Sequence, residues 1–172
     1  IEGHVPVVGD TVRLVAEIVN SYNGSTRAGI RFYFQRLECL NGMTSNKYGV
    51  ECTFTHNKEG SFNWQGQIIR ATSILRGSAQ SQLNAFVQNC GKLQKPVDNT
   101  DIALIRERYL NKLPMQQFGQ LMHKYLADKD YTAWGLLNAG TNVLWHANKL
   151  TNANFSNNTM VVDGMLQYGK DT

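Results

Sequence analysis

The sequence predicts an α+β fold. An antiparallel β-hairpin and a third strand form a β-β-β-α core with the first helix, and a helical C-terminal half follows. Three observations lead there. Apolar residues alternate at period two between Thr11 and His56. The period changes to 3.6 from about residue 65 onward. Asn-Gly dipeptides punctuate the first part, and a Gly and two prolines punctuate the second. On this reading residues 1–172 form one α+β domain. Residues 1–10 are an N-terminal extension, 11–91 the β-β-β-α core, 97–149 the helical part and 150–172 an Asn-rich tail.

Each element has a local reason. From Thr11 to Asn20, Val12, Leu14, Ala16 and Ile18 fall on one face, with Arg13 and Glu17 on the other. Tyr22-Asn23-Gly24-Ser25 is a hairpin turn, because Asn-Gly tolerates two positive φ values. In the second strand Ala28, Ile30, Phe32 and Phe34 alternate with Arg27, Gly29, Arg31 and Tyr33. The phase then slips, so a bulge is expected near Gln35–Arg36, with a short helical turn through Phe34, Leu37 and Leu40 as the competing reading. Tyr48 to His56 is the third strand, with Val50, Cys52, Phe54 and His56 inward, and Phe62–Trp64 could add a short edge strand.

The first helix, about 65–90, places Ile68, Thr72, Leu75, Ala79, Leu83, Phe86 and Cys90 on one face and ends near Gly91. Gln94-Lys95-Pro96 is the best candidate linker. Asn99 or Thr100 would cap a helix carrying Ile102, Ile105, Tyr109 and Leu113. Pro114 ends that helix and opens the next, with Phe118, Leu121, Met122 and Tyr125. Asp130 or Thr132 caps another, with Trp134, Leu137, Thr141, Leu144 and Trp145. The asparagine cluster from Asn152 to Asn157 is expected to be an exposed loop.

Composition narrows the function classes. Charged residues are 17 % of the chain, and amides stand in for the missing charge, with 17 Asn and 11 Gln. No apolar run approaches the ~20 residues that cross a bilayer. No secretory leader is seen, and three cysteines without CxxC spacing fit reduced thiols, so a cytoplasmic setting is expected. The three N-x-S/T matches, at Asn23, Asn154 and Asn157, read as chance in so Asn-rich a chain. The chain opens on Ile1 rather than Met, which suggests part of a longer protein.

The motif search points away from an enzyme. There is no phosphate-binding glycine loop, no G-x-S-x-G elbow and no H-E-x-x-H. Cys52 and His56 are about 13 Å apart along an extended strand, too far for one metal ion. His4, His56, His123 and His146 are scattered, and Glu17, Glu38 and Glu51 lie on separate segments. No cofactor and no metal are expected.

What remains is a charge asymmetry. The formal charge is +4, but residues 11–95 carry ten Lys/Arg against four Asp/Glu, and residues 96–172 carry seven against seven. Arg13, Arg27, Arg31, Arg36, Lys47 and Lys58 lie on or beside the predicted strands, and Arg70 and Arg76 on the first helix. Tyr22, Tyr33 and Trp64 are interleaved with them. Cations neutralise phosphates and aromatic faces stack on unpaired bases, a combination suited to single-stranded nucleic acid. An ordinary solvated sheet face is the competing reading of the same residues.

Three segments resemble a known family. Asn20-Ser21-Tyr22-Asn23-Gly24-Ser25, Arg36-Leu37-Glu38-Cys39-Leu40-Asn41-Gly42-Met43 and Ala133-Trp134-Gly135-Leu136-Leu137-Asn138-Ala139 are similar, in order and rough spacing, to segments of a phage- and plasmid-encoded family of unknown function (domain of unknown function, family 932). Asn23 departs from the usual Asp, and the N-terminal region of full-length members is absent. The resemblance implies a mobile-element origin in a host cytoplasm. The element order is in turn similar to the β-β-β-α core of single-strand annealing proteins of the RecT/Erf type. That analogy implies single-stranded DNA as partner, no membrane, and a ring- or filament-forming homo-oligomer that acts without a nucleotide cofactor. The alternative is a self-assembling structural or host-interaction module of a mobile element.

Overall fold

The computed structural model describes residues 2–4, 11–19, 28–36, 42–45, 51–54, 64–147 and 152–172. Five strands come first: β1 (Glu2–His4), β2 (Thr11–Val19), β3 (Ala28–Arg36), β4 (Gly42–Met43) and β5 (Glu51–Phe54). The helices follow: α1 (Trp64–Gly91), α2 (Asn99–Leu104) continued by a π-helical segment (Ile105–Tyr109), α3 (Met115–Asp128), α4 (Ala133–Trp145) and α5 (Asn152–Asp171). The fold is α+β, a small N-terminal antiparallel sheet followed by a mostly helical half.

The sheet is built around β3. It pairs with β2 from Val12↔Arg36 to Val19↔Gly29 without interruption, so the expected bulge at Gln35–Arg36 is not there. The phase slip in the sequence belongs to the end of the strand. Along its other edge β3 takes two short partners. β4 pairs with its C-terminal end through Phe34↔Met43, and β5 with its N-terminal end through Ala28↔Phe54 to Arg31↔Glu51. β5 is the described part of the predicted third strand, β4 is an additional short strand that precedes it, and β1 adds to the outside of β2. The hairpin turn at 20–27, the rest of the predicted third strand and Phe62 lie outside the described residues; Trp64 begins α1 instead of ending a strand.

One face of the sheet packs on α1. Val12 and Phe34 are fully buried against Leu83 and Phe86, and the Phe34 and Phe86 rings stack with centroids 4.0 Å apart. Each such buried side chain contributes roughly 1.5–3 kcal/mol. In α1 the predicted positions Leu83, Phe86 and Cys90 are in the core, while Thr72 is exposed and Ala71 takes the buried position in that turn.

The helical half is organised by α4, which is buried from Ala133 through Thr141 and carries no charged residue. A helix apolar on all sides belongs in the middle of a bundle. Its start is fixed by Thr132, whose hydroxyl accepts from the Gly135 amide at 3.0 Å. A Cβ at Gly140 would sit 2.8 Å from Val161 and 2.9 Å from Leu121, so only glycine lets α3 and α5 approach this closely. The segment 92–97 is not a loose linker. Leu93 is fully buried, its carbonyl accepts from the Trp134 amide at 2.8 Å, and the Val97 amide donates to Tyr131 at 3.0 Å. Asp98, one residue before the expected cap, starts α2 through a capping box with Asp101.

The largest departure from expectation is at the C-terminus. The Asn-rich segment is not a loop but the first turns of α5. Asparagine is a weak helix former, so tertiary contacts must hold it. Asn158 is buried; its amide oxygen accepts from the Thr44 amide (3.1 Å) and hydroxyl (3.0 Å), and its amide nitrogen donates to the Gly42 carbonyl (3.0 Å). Thr44 and Thr159 share a hydroxyl hydrogen bond of 2.6 Å, and Ser45 donates to Asp163. This polar clasp ties β4 and the chain after it to α5. Farther along, Tyr168 donates to Asp101 at 3.2 Å and so ties α5 to α2.

Removing the clasp's centre leaves buried backbone groups without partners. Asn158→Ala is expected to lower stability by about 2–4 kcal/mol, because each orphaned buried polar group costs about 1–3 kcal/mol. Asn84→Ala, at an exposed position, should change it by less than about 0.5 kcal/mol in the same urea titration.

The tyrosines set an alkaline limit. Burial raises the phenol pKa of Tyr33, Tyr109, Tyr125 and Tyr168, and burial with the nearby Asp101 carboxylate pushes Tyr168 to about 12. A raised folded pKa stabilises the protein below the unfolded pKa, and that stability is lost as pH rises through the folded value. The melting temperature should therefore fall between pH 10 and 12, and Tyr168→Phe should make that fall shallower. A melting temperature flat across this range would contradict it.

Candidate nucleic-acid interface

The predicted contact residues fall into three groups. Arg27, Lys47, Lys58 and Tyr22 lie outside the described residues. Arg31, Arg36 and Trp64 are placed by their backbone alone: Arg31 opposite Glu17, Arg36 opposite Val12, and Trp64 at the start of α1. The remaining four are defined in full, and they are not all alike.

Arg13 is exposed on β2, on the face opposite the Val12–Leu14 core face. Its guanidinium donates to Gln35 from Nε (3.1 Å) and Nη2 (2.8 Å), across a directly paired position. Tyr33 is on that same face but is not a free stacking platform. It is buried, with its ring 4.9 Å from that of Trp145, packed from α4. Burial first, and then Glu17, raise its phenol pKa against the opposing pull of Arg13. Tyr33 therefore serves packing, which corrects its expected role as a base contact.

Arg70 and Arg76 are exposed on α1, the helix that covers the other face of the sheet. Arg13 on one face of the sheet and Arg70 and Arg76 on the helix over the other do not line a single groove. The helix pair has a distinct setting. No Asp or Glu occurs between Glu59 and Asp98, while Arg70, Arg76, Lys92 and Lys95 all fall there. Neither Arg70 nor Arg76 has an ion pair or hydrogen bond among the described residues. Between and after them the exposed positions among the described residues are Thr72, Ser73, Gly77, Gln80, Ser81, Asn84 and Gln88, hydroxyls and amides apart from the glycine. A shallow groove of about 330 Å³ runs along Ile69, Thr72, Ser73 and Arg76. Positive charge flanked by neutral donors, with no carboxylate on α1 itself, suits a polyanion.

Two further grooves lie in the helical half, where the net charge of zero gave no signal. One, of about 530 Å³ between α3 and α4, includes His123, His146, Gln120 and Lys124, with Lys124 paired to Asp128 on its own helix. The other, of about 660 Å³, lies between the π-helical segment and α5 and has Arg108 and Lys112 on its lining. Sequence reasoning missed both cations because their charge is offset in the sum by the acids of that half, Glu107 and Asp163 among them; their spacing of four residues was the available signal. Among the described residues no group of three or more His, Cys, Asp or Glu could hold a metal ion. Cys90 is a buried free thiol, as expected. Among the described residues no helix is long and apolar enough to cross a membrane.

No protein-family model, curated protein or solved structure matches the chain. Of the three segments singled out in the sequence, residues 20–25 and 37–41 lie outside the described residues, Gly42–Met43 forms β4, and residues 133–139 lie on the buried helix α4. In this fold the last two serve packing. Substitution there would act through stability, so the basic surface of α1 is where binding should be sought.

Proposed function

We propose that the chain is a non-enzymatic, phage- or plasmid-type protein that binds and anneals single-stranded DNA as an oligomer, with α1 as its main contact surface. The acid-free exposed positions of α1, with Arg70 and Arg76 unpaired among the described residues, are the observation that carries the reading. Phosphates would meet the two guanidiniums, and the neighbouring hydroxyls and amides would donate to phosphate oxygens. Trp64, at the start of the same helix, would supply the aromatic that stacks on a base. Arg13, on the sheet face opposite the Val12–Leu14 core face, supplies a weaker, separate contact.

A second reading has its own observation. Met115 is 71 % exposed, Leu126 57 % and Tyr131 54 %, on and just after α3. Apolar side chains so exposed on one helix suit a self-assembling or host-interaction module.

Fluorescence anisotropy with a labelled single-stranded oligonucleotide separates the two. Affinity should fall steeply with salt, with a slope of roughly 0.7 log units per phosphate contact. Arg70→Glu with Arg76→Glu should weaken binding at least tenfold and flatten that slope, while Arg13→Glu alone should change it less than threefold. Absence of binding at low salt, combined with light scattering that shows assembly without DNA, would replace this reading with the second one.

A further inference from the structure

The groove between the π-helical segment and α5 has features of a ligand site. π-helical turns are rare and occur often at functional sites. Here the turn is held rigidly. Arg106 donates to the Leu113 carbonyl at 2.8 Å and also to that of Leu110, and its guanidinium lies 5.0 Å from the Phe118 ring centre. Leu110 and Leu113 are buried, so the chain between them is fixed and Lys112 is presented outward. On the other wall, a Cβ at Gly164 would lie 2.6 Å from the Tyr109 carbonyl. The two walls are therefore in backbone contact at one point, and the groove is the space that opens beside it.

The lining is divided by chemistry. Arg108 and Lys112 are exposed and have neither ion pair nor hydrogen bond among the described residues. Phe155 and Met160 supply half-buried apolar surface. Gln167 and Asp163 supply an amide and a carboxylate, with Asp163 already anchored by Ser45. Two cations favour an anion, whereas a carboxylate in the same groove disfavours a ligand charged along its whole length. The volume, about 660 Å³, is within the range of small-molecule sites.

We infer that this groove binds a nucleotide unit, with its phosphate at Arg108 and Lys112, its base against Phe155 and Met160, and its exocyclic or sugar donors toward Asp163 and Gln167. The same chemistry is offered by a free mononucleotide and by the 5′-phosphorylated end of a strand. The site is separate from the α1 surface and does not depend on it.

The test is an NMR titration of the whole chain with dAMP, deoxyadenosine, inorganic phosphate and a 5′-phosphorylated tetranucleotide. With dAMP, amide shifts should move at 108–112 and 155–167, and inorganic phosphate and deoxyadenosine should each bind at least tenfold more weakly. Arg108→Gln with Lys112→Gln should weaken dAMP at least tenfold while leaving the melting temperature unchanged, since both side chains are exposed. Arg70→Glu with Arg76→Glu should leave dAMP binding intact, which keeps this site's test distinct from that of α1. Tighter binding of the tetranucleotide than of dAMP assigns the ligand to a strand end, and the reverse order assigns it to a free nucleotide; either supports the inference. No shifts in these segments at millimolar dAMP, or phosphate binding as tightly as dAMP, would overturn it.

Discussion

The contact between Thr44, Ser45 and α5 joins the two halves of the molecule. The sheet alone is small, and β4 is only two residues long. Such a strand gains little from its own ladder. It persists because Asn158 satisfies the Thr44 amide and the Gly42 carbonyl together. Thr159 and Asp163, one and five positions farther on, extend the same contact by one helical turn. A buried polar cluster of this kind is stabilising only when it is complete, and it fixes register more strictly than apolar packing would. A shift of α5 by one residue would leave every one of these groups unpaired.

Once α5 is placed, the positions of the other helices follow. Val161 and Val162 set it against α4, where Gly140 permits the close approach, and Tyr168 reaches Asp101 in the first turn of α2. The chain before α2 is stitched to the start of α4 by Leu93 and Val97. α1, which ends immediately before that stitch, is thereby held across the sheet. Its C-terminal half meets the core through Leu83, Phe86 and Cys90, and its exposed positions carry Arg70 and Arg76. The surface proposed for nucleic acid is therefore rigid on one side and open on the other.

Most of the element order was legible because it rests on short-range physics. Val12 and Leu14, with Ile30 and Phe34, announce two strands by alternation, and Leu83, Phe86 and Cys90 announce a helix by period. α5 was not legible for a related reason. Its buried stripe runs Asn158, Val162, Met165 and Gly169, at helical spacing, but two of its four positions are not hydrophobic. A pattern search that counts apolar residues breaks on Asn158, whose burial is made favourable by partners more than 110 positions away. That also gives part of the amide excess a physical meaning: Asn158 is a structural connector and not a loop residue. Tyr33 was misread by the same limit, since an aromatic between arginines gives no sign that Trp145 will cover it.

Net charge by segment proved a coarse guide to binding, and the pairing state of each cation is a finer one. Arg13 is engaged by Gln35, Lys124 by Asp128, Arg106 by two carbonyls, and Lys95 lies 4.1 Å over the Tyr168 ring. Each of these has its electrostatic work inside the fold. An exposed cation with no partner stabilises nothing within the molecule, so its charge is available to a ligand at little expense to folding. By that measure Arg70 and Arg76 on α1 belong with Arg108 and Lys112 beside α5, although one pair lies in the basic half and the other in the half whose charges sum to zero. The difference between them is local: carboxylates are absent along α1, which suits a continuous backbone of phosphates, whereas Asp163 shares the groove with Arg108 and Lys112, which suits a ligand with one charged end.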